Sequence, residues 1–150
     1  MAQIAAVIVA AGRGTRAADG NGTQTVPKQF RPVGGEPMLR RTLSAFAEAG
    51  MVRFIQPVIH ADDIDLFRTA SDGIDVLTPA FGGATRQASV HAGLEALLSH
   101  APDIVLIHDA ARPFASADLI ARAAEAGART GAAIPALAVN DTVKSVDANG

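Results

Sequence analysis

Residues 4–9, Ile-Ala-Ala-Val-Ile-Val, are apolar without a break. A strand with one wet face alternates apolar and polar residues. An unbroken run rich in β-branched side chains instead marks a central strand of a parallel sheet, covered on both faces. This segment commits the chain to a layered α/β arrangement, because parallel strands need long crossovers, usually helical, and those crossovers form the covering layers. The run is too short to cross a bilayer. Its nearby cations, Arg13 and Arg16, follow it, whereas a signal peptide carries its charge ahead of the apolar stretch.

The rest of the chain alternates in the way such a sheet requires. Over 37–49, Met38, Leu39, Thr42, Leu43 and Phe46 recur at helical spacing, and Gly50 offers a stop. Residues 52–59 read as a second strand. Residues 62–71 have an acidic start, with Leu66 and Phe67 for a short helix, and 74–77 read as a third strand. Thr85 is placed to cap a helix over 85–98, in which Val90, Leu94, Leu97 and Leu98 share a face. A fourth strand fits 104–107. A helix capped by Ser116 runs to 129 and buries Leu119, Ile120 and Ala123, and 132–139 completes a fifth strand. The expected fold is α/β: an open, mostly parallel, Rossmann-like sheet with helices on both faces. With 150 residues, 49% of them hydrophobic and 19% charged, one globular domain is the default.

Bulk properties narrow the functions. A formal net charge of −2 gives no general attraction to nucleic acid, so any polyanion must be held by local groups. The absence of cysteine excludes a disulfide framework and thiolate metal sites, and agrees with a cytoplasmic setting. His60, His91, His100 and His108 have no ligand spacing and are expected to be structural or surface residues.

In an open α/β sheet the ligand crevice lies beyond the carboxyl ends of the strands, and four segments fall there. After the first strand comes Ala10-Ala11-Gly12-Arg13-Gly14-Thr15-Arg16, where glycines let backbone N–H groups converge on phosphate oxygens and arginines add charge. Gly12, Gly14 and Ala17 also satisfy the dinucleotide fingerprint. However, Gly20, Asn21, Gly22 and Pro27 follow too closely for the helix that fingerprint needs, so NAD binding is the weaker reading. Next, Pro27-Lys28-Gln29 brings a cation to the end of the same loop; the bland alternative is a solvated surface lysine. Third, Gly82 to Ser89 form a tight turn into a helix N-terminus suited to polar ligand atoms, or simply to capping. Fourth, His108-Asp109-Ala110-Ala111-Arg112-Pro113 sets a carboxylate and a guanidinium at a strand end. There Asp109 suits Mg²⁺ or a ribose hydroxyl, unless it forms a structural ion pair with Arg112.

Together with Asp141-Thr142-Val143-Lys144, these segments resemble the cytidylyltransferase family that acts on 2-C-methyl-D-erythritol 4-phosphate in non-mevalonate isoprenoid synthesis. The resemblance implies transfer of CMP from CTP to that sugar-alcohol phosphate, with Mg²⁺ and release of pyrophosphate. It implies catalytic roles for Arg16 and Lys28. Ala10, Ala11, Gly12, Gly14, Gly83 and Ser89 would bind the nucleotide, Asp109 and Ala110 would meet the ribose side near the metal, and Thr142 would contact the acceptor phosphate. Ala84 stands where some relatives carry an acid, and the loop over 17–26 is longer than in compact members. Family members continue well beyond 150 residues, through further acceptor-binding residues and a dimerisation arm. The chain is therefore expected to be a nucleotide-binding domain cut short on its C-terminal side, homodimeric when complete, and in some bacteria fused to a cyclodiphosphate synthase. The rivals are a cytidylyltransferase for another polyol phosphate such as ribitol phosphate, and a nucleotide-binding module without catalysis.

Overall fold

The computed structural model describes residues 2–13 and 26–147. Strand β1 (Ile4–Ala10) is buried on both sides from Ala5 onward. A 3-10 turn at Lys28–Phe30 precedes a two-strand antiparallel hairpin, β2 (Pro32–Val33) and β3 (Glu36–Pro37), which opens directly into helix α1 (Met38–Glu48). Strand β4 (Val52–Ile59) follows, and a 3-10 turn at Ala61–Asp63 leads into helix α2 (Ile64–Ser71). The chain then forms β5 (Ala80–Phe81), α3 (Arg86–Ala96), β6 (Ile104–Asp109) and α4 (Ala117–Thr130).

The main sheet has the order β5-β4-β1-β6 and every pairing in it is parallel. Because successive side chains of β1 point to opposite faces, Ala6, Ile8 and Ala10 enter a core with Leu39, Leu43 and Phe46 of α1, Phe67 of α2 and Ile120 of α4. Ala5, Val7 and Val9 face the other way, into a smaller core with Val58 and Leu97, and with Val90 of α3 packed against it. The expected α/β class, with helices on both faces, is what the structure contains. Helix α3 approaches this second face closely at Gly93. A Cβ there would lie 2.5 Å from Val7 Cγ1 and 2.8 Å from Val58 Cγ2, so the position admits no side chain without a shift.

The helix ends follow from their caps. Thr85 Oγ1 accepts from Ala88 N–H at 3.0 Å, and Ser116 Oγ from Leu119 N–H at 3.2 Å, each satisfying a donor that the first helical turn leaves unpaired. The left-handed Gly131 (φ 84°) closes α4, its N–H reaching the Gly127 carbonyl at 2.8 Å. The packed faces are narrower than periodicity suggests. In α3 the buried stripe is Ser89 and Gly93, continued by Leu97, while Leu94 and Leu98 are exposed. In α2 Phe67 and Ala70 pack inward and Leu66 does not; α4 buries Ile120 and Ala124 more fully than Leu119 and Ala123.

Two expected strands are not formed. Residues 74–77 run beside β4 and give it a backbone bond, Leu77 N–H to the Ile55 carbonyl at 2.9 Å, but the ladder then stops. Its next rungs would use the N–H groups of Pro57 and Pro79, and proline has none. The buried Gln56 amide fills the gap, Nε2 donating to the carbonyls of Thr78 and Pro57 at 2.9 Å each. Pairing resumes at Val58 with Ala80, and Gly82 N–H reaches the Ile59 carbonyl at 2.9 Å. The other correction is 132–139, which is exposed and extended past α4, with Ile134 and Leu137 at 87% and 95% exposure. A strand needs a hydrogen-bonding neighbour, and among the described residues nothing pairs with this segment.

Candidate active site

The parallel strands all end on the same side of the sheet, and that edge gathers three of the four expected segments around the turn after β1. Val9 pairs with Asp109 across the β1–β6 ladder, and Ala110 N–H donates to the Val9 carbonyl at 3.0 Å. The Ala110 carbonyl accepts from Thr42 Oγ1 of α1 at 2.9 Å, which ties the β6 end to the helix below it. From the 3-10 turn at Lys28–Phe30, Gln29 reaches back and donates Nε2 to the carbonyls of Ala10 at 2.6 Å and Gly12 at 3.2 Å. Gly82 packs against Ala11 and Ser89 so tightly that an added Cβ would sit 2.6 Å from Ser89 Oγ. Ser89 is buried, and its hydroxyl donates to the Thr85 carbonyl at 3.0 Å, with the Gly83 carbonyl 3.4 Å away. Its side chain braces the 82–85 turn from beneath.

Ala10, Ala11 and Ala110 are buried, and Gly12, Lys28 and Gly83 are exposed. Among the described residues the backbone N–H groups of Ala11, Gly12 and Arg13 have no hydrogen-bond acceptor. A Cβ at Gly12 would meet nothing within 4 Å. Gly14 and Arg16 lie outside the described residues. Thr142 lies on the exposed segment beyond α4.

The charges divide in an informative way. The Arg13 guanidinium is already engaged: NH2 meets Asp62 Oδ2 at 2.8 Å and also His60 Nδ1, and NH1 meets Asp63 Oδ1 at 3.2 Å. Asp63 is buried and its Oδ2 has no hydrogen-bond partner among the described residues, so Arg13 answers a carboxylate that the β4–α2 corner otherwise leaves uncompensated. Lys28 and Arg86, by contrast, have no ion-pair partner among the described residues, and both are exposed. Asp109 Oδ2 sits 3.7 Å from Arg112 Nε, a loose pair between side chains 40% and 78% exposed. Two of the other histidines serve the scaffold, His100 packing on Phe54 and His108 on Phe46 with its Nε2 2.9 Å from the Arg112 carbonyl, while His91 is exposed beside Glu95.

No group of three or more His, Cys, Asp or Glu that could hold a metal occurs among the described residues. Among the described residues, the carboxylate this edge offers a cation is Asp109, partly exposed and only loosely paired, since Asp62 is engaged by Arg13.

The sequence profile of 2-C-methyl-D-erythritol 4-phosphate cytidylyltransferase matches residues 4–150. The chain belongs to that family. Its relatives include the bifunctional enzyme IspD/IspF of Bradyrhizobium sp. strain BTAi1, 56% identical over 97% of this chain and 36% of that protein. The bifunctional enzyme IspD/IspF of Nitrobacter hamburgensis is also 56% identical, over 97% of this chain and 35% of its own length. Among solved structures, the 4-diphosphocytidyl-2C-methyl-D-erythritol synthase of Anaerococcus prevotii superposes with a TM-score of 0.79 at 32% identity, covering 99% of this chain and 61% of that one. The chain thus spans about a third of the length of the curated relatives it matches. Family membership sets aside the dinucleotide reading of the Gly12 and Gly14 fingerprint.

Sequence reasoning quoted Gln29 beside its lysine and set Thr42 on the packed face of α1, but it did not foresee the bonds by which they hold this cytidylyltransferase-family edge together, and it missed Asp63. Each is a polar residue on a buried surface. Their partners across this edge are backbone carbonyls or side chains 17 to 68 positions away, although Thr42 also back-bonds to Met38 within its helix.

Proposed function

We propose that this chain is the nucleotide-binding domain of a longer cytoplasmic cytidylyltransferase, homodimeric when complete, that transfers CMP from CTP to 2-C-methyl-D-erythritol 4-phosphate. The observation that carries the reading is the convergence of residues 10–12, 28–29, 82–89 and 109–110 on one edge of a parallel sheet in a chain of this family.

In this reaction an acceptor phosphate oxygen attacks the α-phosphorus of CTP in line and pyrophosphate leaves, so no protein nucleophile is required. The protein's task is to align two anions and offset their charge. The N–H groups of Ala11, Gly12 and Arg13, without an acceptor among the described residues, are the natural donors to phosphate oxygens, and the space those residues leave over Gly12 lets a ligand approach the backbone. Lys28, exposed and without a counter-ion among the described residues, is available to the charge that builds at the α-phosphorus, and Arg16 is assigned the same task. Arg13 is not, because its charge is already matched by Asp62 and Asp63. Ala10, Ala11, Gly83 and Ser89 frame the cytosine, Ser89 through the turn it braces.

Asp109 would hold Mg²⁺, with phosphate oxygens and waters completing its shell. One accessible carboxylate fits that ion's habits, and the ion supplies charge neutralisation to the triphosphate. Ala110 lies beside it on the ribose side. Thr142 is assigned to the acceptor phosphate.

The test is pyrophosphate release, measured with CTP against the other nucleoside triphosphates and with methylerythritol phosphate against ribitol phosphate, on this chain and on the longer protein. CTP-specific release that depends on methylerythritol phosphate in the longer protein is the expected result. Preference for ribitol phosphate would reassign the acceptor. Binding of CTP without release by the longer protein would leave a nucleotide-binding module.

A further inference from the structure

Gln29 follows Lys28 directly, and the two point to different places. Lys28 is exposed, whereas Gln29 is 5% exposed and spends both amide protons on the turn after β1, donating to Ala10 O at 2.6 Å and Gly12 O at 3.2 Å. In a trans peptide the carbonyl of one residue and the N–H of the next point in opposite directions. Holding the carbonyls of Ala10 and Gly12 on the Gln29 side therefore turns the N–H groups of Ala11 and Arg13 away from it. These are among the N–H groups with no acceptor among the described residues. An anion site built from backbone needs this polarity, because a carbonyl aimed at a phosphate repels it. The same two bonds fix the distance between the turn and residue 28, whose 3-10 turn is otherwise tied locally, by Phe30 N–H to Pro27 O at 2.9 Å and Arg31 N–H to Lys28 O at 3.0 Å.

We infer that Gln29 is a positioning residue for nucleotidyl transfer: its amide sets the N–H polarity of the 10–13 turn and holds Lys28 in register with it. This inference rests on the proposed function. It gives a buried amide beside a catalytic cation a task that packing alone does not.

The test uses the longer enzyme with Gln29→Met, close in shape but without N–H donors, made in the parent and in a Lys28→Ala background. Steady-state pyrophosphate release and amide hydrogen exchange are both read. In the parent, kcat should fall roughly 10- to 100-fold, the scale of an ångström-sized misplacement. In the Lys28→Ala background the same change should cost several-fold less than in the parent, because one of the two groups it positions is gone. Exchange should speed up together at the hydrogen-bonded amides flanking the clamp, Ala110 beside the turn after β1 and Phe30 and Arg31 in the 3-10 turn, while the enzyme stays folded. A near-normal kcat in the parent, or losses that multiply in full across the two backgrounds, overturns the inference. If Gln29→Met does not fold, Gln29→Leu, which also lacks N–H donors and adds no charge, carries both readings. Joint loosening in an enzyme that releases no pyrophosphate from CTP would sink the proposed function and leave the clamp standing. Normal exchange and turnover in the variant would do the reverse.

Discussion

Lys28 is legible in the sequence as a cation, whereas the bonds made by Gln29 beside it appear only in the fold. A lysine behind a rigid proline at the end of a glycine-bearing loop is legible because the pattern is local. The amide's partners are backbone carbonyls 17 and 19 positions upstream, and only the folded chain brings them within reach. For Lys28→Ala in the longer enzyme, kcat should fall at least about a hundredfold with the melting temperature retained, the usual cost of losing a charge-stabilising donor. Turnover near that of the parent would remove Lys28 from the reaction. Asp63 was equally invisible to sequence reasoning, being one of two adjacent acids at a helix start. Because it is buried and Arg13 reaches it, Arg13→Ala strands a carboxylate and should lower stability by roughly 1–3 kcal/mol in urea titration. Asp62, 76% exposed, touches the same guanidinium from the solvent side, and Asp62→Ala should cost less than about 1 kcal/mol.

Elements were readable where their cause is local and misread where it is not. The caps at Thr85 and Ser116 and the unbroken apolar β1 all stand as their residues dictate. The stretch at 74–77 has a strand's composition, but what decides its pairing is the proline it meets in the neighbouring strand, and a single segment does not display that. Two helical glycines separate local from tertiary control. Gly127 lies in α4 with nothing within 4 Å of a would-be Cβ, so Gly127→Ala should raise stability by about 0.5–1 kcal/mol through helix propensity. Gly93 gains the same propensity but drives a methyl into Val7 and Val58, so Gly93→Ala should be net destabilising, overpacking costing about 1–3 kcal/mol. Denaturant midpoints of the two variants should move in opposite directions.

At the scale of the molecule, the layers and the crevice edge were legible because alternating strands and helices admit few arrangements. The C-terminal strand was not formed, because its apolar residues have no covering layer among the described residues. With CTP and Mg²⁺ at about a hundred times the dissociation constant, stability should rise by roughly 2.7 kcal/mol in thermal melts, and equal GTP should give much less. Equal protection by both would remove the cytosine preference assigned to the 82–89 turn. In the longer protein the amides of 132–139 should acquire exchange protection; free exchange there would mean that the segment is a connector.

The proline pair at the β4–β5 border also bears on how this sheet can be extended. Beyond it the flank consists of a two-residue strand, too short to template another chain. The opposite flank, β6, presents six residues with no such block, Ile107 among them at 46% exposure. Among the described residues β6 is thus the longer open flank for a strand added by the remainder of a longer polypeptide, and its last residue, Asp109, borders the crevice. Growth of the sheet and completion of the catalytic pocket would then be the same event.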